Sequence, residues 1–267
     1  MDKEPLSLQD IQKIELSILK YLKAFCEERS LTYFISNGTL LGAIKYGGFI
    51  PWDDDIDILM PRSDYNELLK SFADNEKYKL FSPDRTPEFG FPFAKLCDMT
   101  TVRIENNVNN GCVLGIDIDI FPIDSWDSKY QIACKQAVRN VRIMRNLGYA
   151  KSTNIVSRNI YRMQIKKVVV KICKCFGMKF FRDRLANCVC NKEKSLYCGC
   201  VVWPVYGRRE IIPSGVFADK IMVKFENINL PAPIGYNKYL RSLYGDYSCD
   251  PPLEKQKTHH NFKAYRL

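Results

Sequence analysis

Histidine is almost missing from this 267-residue chain: His259 and His260, adjacent in a polar stretch near the end, are the only two. None lies near the paired cysteines Cys173/Cys175, Cys188/Cys190 and Cys198/Cys200, and their one-residue spacing is tighter than zinc sites use. They therefore read as free thiols. A long apolar run is absent as well. Asp2, Glu4, Asp10 and Glu15 interrupt the first 25 residues, which excludes a signal peptide or membrane span there. Eleven cysteines, an odd number, are then expected to stay reduced in a cytoplasm. The chain has no G-x-S-x-G, no G-x-x-x-x-G-K-[ST] and no G-x-G-x-x-G, which argues against hydrolase, P-loop and Rossmann readings. Only 14 glycines and 13 prolines exclude collagen-like or low-complexity architecture. No internal repeat appears, and no linker is long enough to force two independent domains.

What is present is a foldable chain with a basic excess. A 46% hydrophobic and 12% aromatic content supplies the apolar area that disordered chains lack. Residues 8–25 place Leu8, Ile11, Ile14, Ile18, Leu22 and Phe25 on one helical face, with Ser7 as its cap. A short strand over Thr32–Ile35 leads through Ser36-Asn37-Gly38-Thr39 into a helix broken at Gly47-Gly48. Strands are expected at Tyr78–Phe81, Phe91–Leu96 and Thr101–Ile104, and residues 130–196 turn mostly helical.

Carboxylates are set into this apolar frame. Asp55 and Asp57, two apart, would share one face of a strand, with Asp53 and Asp54 at its mouth. Gly115–Phe121 alternates strictly, so Asp117 and Asp119 face one side and the isoleucines the other. Like charges this close repel unless a cation sits between them, and Mg²⁺ prefers oxygen ligands. Asp53, Asp54, Asp55, Asp57 and Asp119 are thus candidate metal ligands. The Gly38-Thr39 turn can present backbone N–H groups to a phosphate. Together these suggest metal-assisted phosphoryl transfer, against the plainer reading of a solvated acidic loop. Lys45 and Lys95 flank the carboxylates and could hold phosphate oxygens. His260, with His259, is either an exposed tail residue or a phosphate contact. Trp52 and Trp126 adjoin acids, where an aromatic face suits a quaternary ammonium group, although core packing is the commoner role of tryptophan.

These residues resemble a known family. Ser36-Asn37-Gly38-Thr39-Leu40-Leu41-Gly42-Ala43-Ile44 and Gly48-Phe49-Ile50-Pro51-Trp52-Asp53-Asp54-Asp55-Ile56-Asp57 look like the signature of LicD-type phosphotransferases, which are related to fukutin. Ile118-Asp119-Ile120-Phe121-Pro122-Ile123-Asp124 and Leu243-Tyr244-Gly245-Asp246-Tyr247, then Pro251-Pro252 and Glu254-Lys255, extend the likeness in order along most of the chain. Asp117 and Gln256 depart from the family pattern. The resemblance implies an α+β fold with a polymerase-beta-like nucleotidyltransferase core, a mixed sheet with flanking helices. That core would occupy residues 1–129, followed by a basic helical segment over 130–200. Residues 201–267 would pack back on it to make one catalytic unit.

It further implies Mg²⁺, with Mn²⁺ as a substitute, held by Asp55 and Asp57, and Asp119 as third carboxylate or general base. Gly38, Thr39, Lys45, Lys95, Lys255 and His260 would hold the donor, and Trp52, Trp126 or Tyr206 would cup a choline headgroup. The implied reaction moves phosphocholine from CDP-choline to a sugar hydroxyl of teichoic acid, lipopolysaccharide or capsule, releasing CMP. The alternatives are glycerol- or ribitol-phosphate transfer from a CDP-alcohol, or a true nucleotidyltransferase using an NTP. A nucleic-acid partner ranks low, because aromatics and basics do not interleave along the strands.

The +10 net charge is not spread evenly. Residues 139–184 carry thirteen basic residues and one acid, a local +12 that leaves −2 for the remainder. Such a segment is either a solvated face or an attachment to anionic lipid, which would suit a lipid-linked acceptor and a peripheral place on the cytoplasmic face of a membrane.

Overall fold

The computed structural model describes residues 4–154, 160–189, 195–258 and 262–267. Helix α1 (Leu8–Glu28) starts where Ser7 Oγ accepts the Asp10 amide at 3.2 Å, and it buries Ile11, Ile14, Ile18 and Leu22 along one face. A short strand β1 (Phe34–Ile35) precedes helix α2 (Asn37–Tyr46). The acidic run then leads into β2 (Asp57–Pro61), and α3 (Arg62–Ser71) follows directly. Strand β3 (Tyr78–Phe81) precedes two long strands, β4 (Ala94–Glu105) and β5 (Leu114–Ser125). Helices α4 (Tyr130–Lys151) and α5 (Ile160–Ala186) come next, α5 being broken by non-helical backbone at Gly177. The remainder supplies β6 (Tyr197–Gly199), β7 (Ile212–Pro213), the hairpin β8 (Lys220–Phe225) and β9 (Ile228–Pro233), helix α6 (Tyr236–Tyr244) and β10 (Phe262–Arg266).

The main sheet runs β1-β2-β5-β4-β10 and is mixed. β2 and β5 are parallel, whereas β1–β2, β4–β5 and β4–β10 are antiparallel. β3 and β10 share one edge of β4 end to end, β3 against residues 95–98 and β10 against residues 101–105. The central core joins Ile18 and Leu22 of α1, Ile58 and Met60 of β2, Ile118 and Ile120 of β5, and Leu240 and Leu243 of α6. Helices α4 and α5 pack on each other through a separate cluster, Ile143 and Leu147 against Cys173, Phe181 and Leu185. The architecture is mixed α+β. Among the described residues no helix is long and apolar enough to cross a membrane.

Two expectations are corrected. The strands expected at Phe91–Leu96 and Thr101–Ile104 are one strand, β4, which begins only at Ala94 and has a register shift between Asp98 and Arg103. There the Thr101 hydroxyl accepts the Ile116 amide at 2.8 Å and donates to the Asp98 carbonyl at 2.7 Å, so a side chain bridges the interrupted ladder. The strand expected to carry both Asp55 and Asp57 begins only at Asp57, and Asp55 lies in the irregular approach to it.

Candidate active site

The sheet register assembles the site. Asp57 on β2 stands opposite Asp119 on β5, and Asp119 stands opposite Lys95 on β4. Side chains alternate along each strand, so one row carries these three polar groups while Ile58 and Ile120 enter the core. The start of β2 is tied to α2 and β5 by backbone: Asp57 N–H donates to Thr39 Oγ1 at 2.8 Å, Ser36 N–H to the Asp57 carbonyl at 3.0 Å, and Asp119 N–H to the Ile56 carbonyl at 2.8 Å. From α1, Gln12 Nε2 donates to the Asp53 carbonyl at 2.9 Å and steadies the acidic run.

Two glycines set how closely that run approaches α2. A Cβ on Gly38 would lie 2.6 Å from Asp53 Oδ2, and one on Gly42 would lie 2.4 Å from the Gly48 carbonyl oxygen. Any larger residue at Gly38 displaces Asp53, and at Gly42 it collides with backbone.

A cleft of about 820 Å³ opens over the row, lined by Gly38, Lys45, Asp53, Asp55, Asp57 and Asp119 together with aromatic side chains. Tyr46 meets Trp52 edge-on at 6.2 Å, and Tyr206 meets Tyr244 edge-on at 5.3 Å with their hydroxyls 3.0 Å apart. Trp203 and Tyr247 line the same space. The segment after α6 also borders the cleft, where Asp250 accepts Lys45 Nζ at 2.5 Å and the Tyr46 hydroxyl.

The electrostatics are those of crowded carboxylates. Burial, then the charges of Asp55 and Asp119, push the Asp57 carboxyl well up, and a hydrogen bond from the Asn37 side chain partly offsets them. Asn37 holds a left-handed φ of 44° at the start of α2, and its Oδ1 accepts the Tyr239 hydroxyl at 2.7 Å. Burial pushes Asp119 up to about 6, with Lys95 acting to lower it and Asp117 to raise it. Burial opposes the Lys95 ammonium, but Asp117 and Asp119 override that and hold it well above its usual range. Lys95 binds Asp119 directly and Asp117 at 2.7 Å, and Arg103 Nη1 caps Asp117 at 2.9 Å. On α1, the Glu15 carboxyl is pushed well up by burial first and then by Asp55 and Asp117.

Comparison with known proteins fits this geometry. Residues 30–136, which hold α2, the acidic run, β2 and β5, match the LicD/FKTN/FKRP nucleotidyltransferase domain. The chain carries a LicD-family domain. Similarity extends beyond it. The lipopolysaccharide cholinephosphotransferase LicD of Haemophilus influenzae is 28% identical over 268 residues, covering 98% of this chain and 99% of that protein. Mannosyltransferase regulator 4 of Saccharomyces cerevisiae is 30% identical over 112 residues, 42% of this chain and 9% of that one. The LicD-family signature thus occupies the part that builds the polar row, while α5 and the tail align with the Haemophilus protein outside it.

The expected residues divide accordingly. Asp53, Asp55, Asp57, Asp119, Gly38, Lys45, Trp52 and Tyr206 meet at the cleft. Asp54 is buried away from it, and Thr39 spends its hydroxyl on the Asp57 amide. Lys95 does not reach the cleft to meet phosphate, because its ammonium is enclosed by Asp117 and Asp119. Trp126 is no headgroup wall: it is fully buried in a separate cluster with Ala133 and Val201, its indole donating to the Glu210 carbonyl at 3.0 Å. Lys255 sits exposed on a short turn off the cleft. His260 lies outside the described residues.

Trp203, Tyr46, Tyr244 and Tyr247 are cleft residues that the sequence reading did not assign. The Leu-Tyr-Gly-Asp-Tyr match in the tail was the available signal for the last two. Arg103 had no signal, since its partner is set by a strand register.

Proposed function

We propose that this chain is a phosphotransferase that moves phosphocholine from CDP-choline to a sugar hydroxyl of a cell-surface glycan and releases CMP. The observation that carries this reading is the Asp57–Asp119 pair in register beneath an aromatic-walled cleft. End-to-end similarity to a lipopolysaccharide cholinephosphotransferase supports the same choice. The core that bears the row would be of the nucleotidyltransferase type.

Among the described residues no three acidic, thiol or imidazole side chains converge enough to enclose a metal by themselves. That suits Mg²⁺, which commonly takes one or two carboxylates and completes its shell with substrate phosphate and water. Mutual repulsion between Asp57 and Asp55 is the fit for a cation, so these two would hold Mg²⁺, or Mn²⁺ in its place. When bound, the ion would neutralise charge on the donor's diphosphate. The wider ligand set narrows here, because Asp54 faces away and Asp119 is held by Lys95.

The chain's own residues would divide the remaining work. Asn37 and Gly38 at the start of α2 line the cleft, and amides there would receive phosphate oxygens. Lys45 would exchange Asp250 for the donor phosphate. The faces of Trp52, Tyr46, Tyr206 and Tyr244 would surround the quaternary ammonium through cation–π attraction. Asp119, fixed by Lys95, would accept the proton of the sugar hydroxyl. The acceptor oxygen then bonds to the choline-bearing phosphorus as that phosphorus parts from the bridging oxygen, and CMP leaves.

The test is CMP release from CDP-choline with Mg²⁺ and candidate glycans, beside a thermal-shift panel of CDP-choline, CDP-glycerol, CDP-ribitol and CTP. CDP-choline should give the largest shift and acceptor-dependent CMP. A larger shift and turnover with CDP-ribitol or CDP-glycerol would overturn the headgroup, and pyrophosphate release from CTP would overturn the reaction class.

A further inference from the structure

Helix α5 has two apolar faces, and only one is packed. Val170, Cys173, Phe181 and Leu185 are buried, the last three in the cluster shared with α4. The other face carries Tyr161, Ile165, Val168, Ile172 and Phe176, which are 80%, 67%, 59%, 53% and 56% exposed. Their steps of four, three, four and four residues keep them on one stripe of the helix. Past the break at Gly177, Phe180 stacks on Phe176 with ring centroids 4.9 Å apart and prolongs the apolar surface. Exposed Lys167, Lys171 and Lys174 form a second row by the same periodicity, separate from the stripe, with Lys171 nearest to it. Asp183 is the only acid between residues 139 and 184, and it is bound by Arg182 at 2.8 Å.

We infer that α5 lies along an anionic bilayer surface, with the Tyr161–Phe176 stripe entering the headgroup boundary and the lysines meeting lipid phosphate. Water-facing apolar side chains in a line are costly to leave uncovered, and their flanking charge selects what covers them. A second copy docking stripe to stripe would bring two acid-poor, basic faces together, which Coulomb repulsion opposes. An anionic lipid surface complements both the apolar line and the +12 of the segment. Lysines along the helix keep it in the plane of the interface, consistent with the lack of any helix able to span a membrane among the described residues. This placement is independent of the donor reading, since vesicle binding requires no turnover.

The experiment is co-sedimentation of the intact protein with phosphatidylglycerol–phosphatidylcholine vesicles, against phosphatidylcholine alone, at low and high salt. Binding should require the anionic lipid and weaken with salt. It should fall by about tenfold or more in Lys167→Glu/Lys171→Glu/Lys174→Glu and in Ile165→Glu/Ile172→Glu, each checked for an unchanged melting curve. Phe176→Trp gives a second readout: its emission should shift to the blue with anionic vesicles. Absence of sedimentation at low salt, sedimentation indifferent to both variants, or an unshifted Phe176→Trp spectrum would overturn the inference. So would a dimer in light scattering that Ile165→Glu/Ile172→Glu dissociates while vesicles capture nothing.

Discussion

Asp57 and Asp119 stand directly opposite each other on adjacent parallel strands, and only Asp119 is given a lysine. The asymmetry separates two carboxylates of the same type. Asp119 is pinned and partly neutralised by Lys95, whereas Asp57 keeps Asp55 as a like-charged neighbour and relies on the Asn37 side chain. On the proposed reading, one would serve as a positioned base and the other as half of a cation site.

Asp57→Asn should abolish acceptor-dependent CMP release while leaving the fold intact. Metal-borne charge neutralisation contributes several kcal/mol to such transfers, so the loss should be at least about 10²-fold. The amide keeps the size of the carboxylate and removes one charge from a buried, repelling group, so the melting temperature without added metal should hold or rise. A variant that turns over normally, measured beside its melting curve, would remove Asp57 from the site.

Gly38→Ala and Gly42→Ala should part company. At Gly38 the new Cβ meets the end of the flexible Asp53 side chain, so stability should change little while donor affinity and turnover drop. At Gly42 it meets the Gly48 carbonyl of the chain itself, and overpacking of this kind costs about 1–3 kcal/mol. Thermal melts and thermal shift by CDP-choline on both variants distinguish them. Equal destabilisation of the two would show that Gly38 serves the backbone and not Asp53.

Much of this is legible in the sequence, for reasons of period. A strict two-residue alternation placed Asp119 and the isoleucines of β5 on opposite faces, and a 3.6-residue spacing placed α1. What was not legible depends on partners far along the chain. Lys95 and Lys45 look alike in sequence, yet strand register hands Lys95 to Asp117 and Asp119, while a residue 205 positions away claims Lys45. Trp126 and Trp203 differ in the same way. Nothing local says that Trp126 will be enclosed by α4 while Trp203 reaches the cleft. Glu15 was lost within an apolar helical face because period alone does not show what lies beneath it.

Asp250 should act as a weak competitor of the donor. It is the more exposed partner of its ion pair with Lys45, and exposed pairs are weak. Asp250→Asn should therefore lower the KM for CDP-choline, by at most about fivefold, with kcat unchanged. Lys45→Met should raise the KM instead. If Asp250→Asn raises it as well, Asp250 holds the closed segment over bound donor and does not compete with it.

Glu210 should make stability fall with rising pH. Burial pushes its carboxyl up to about 8, with the Tyr206 and Val205 amides acting to lower it. An unfolded chain ionises the same group near 4.3. Between those values the native protein retains a proton that the unfolded chain releases. The contribution of Glu210 is therefore fully present below about 4.3 and is lost as pH rises through 8, at up to about 1.4 kcal/mol per pH unit. Lys151, pushed down to about 7 by burial, works in the opposite sense above that pH, so variant and parent must be compared at each pH. Glu210→Gln keeps an acceptor for the Tyr206 amide, 3.1 Å away in the native protein, and removes the titration. The two proteins should melt together at pH 4, and the variant should melt several degrees higher at pH 8. Because the same bond holds Tyr206 at the cleft, turnover at neutral pH should be unchanged in the variant. A lower melting temperature at pH 8 would mean that Glu210 is ionised and balanced by a cation in the folded protein.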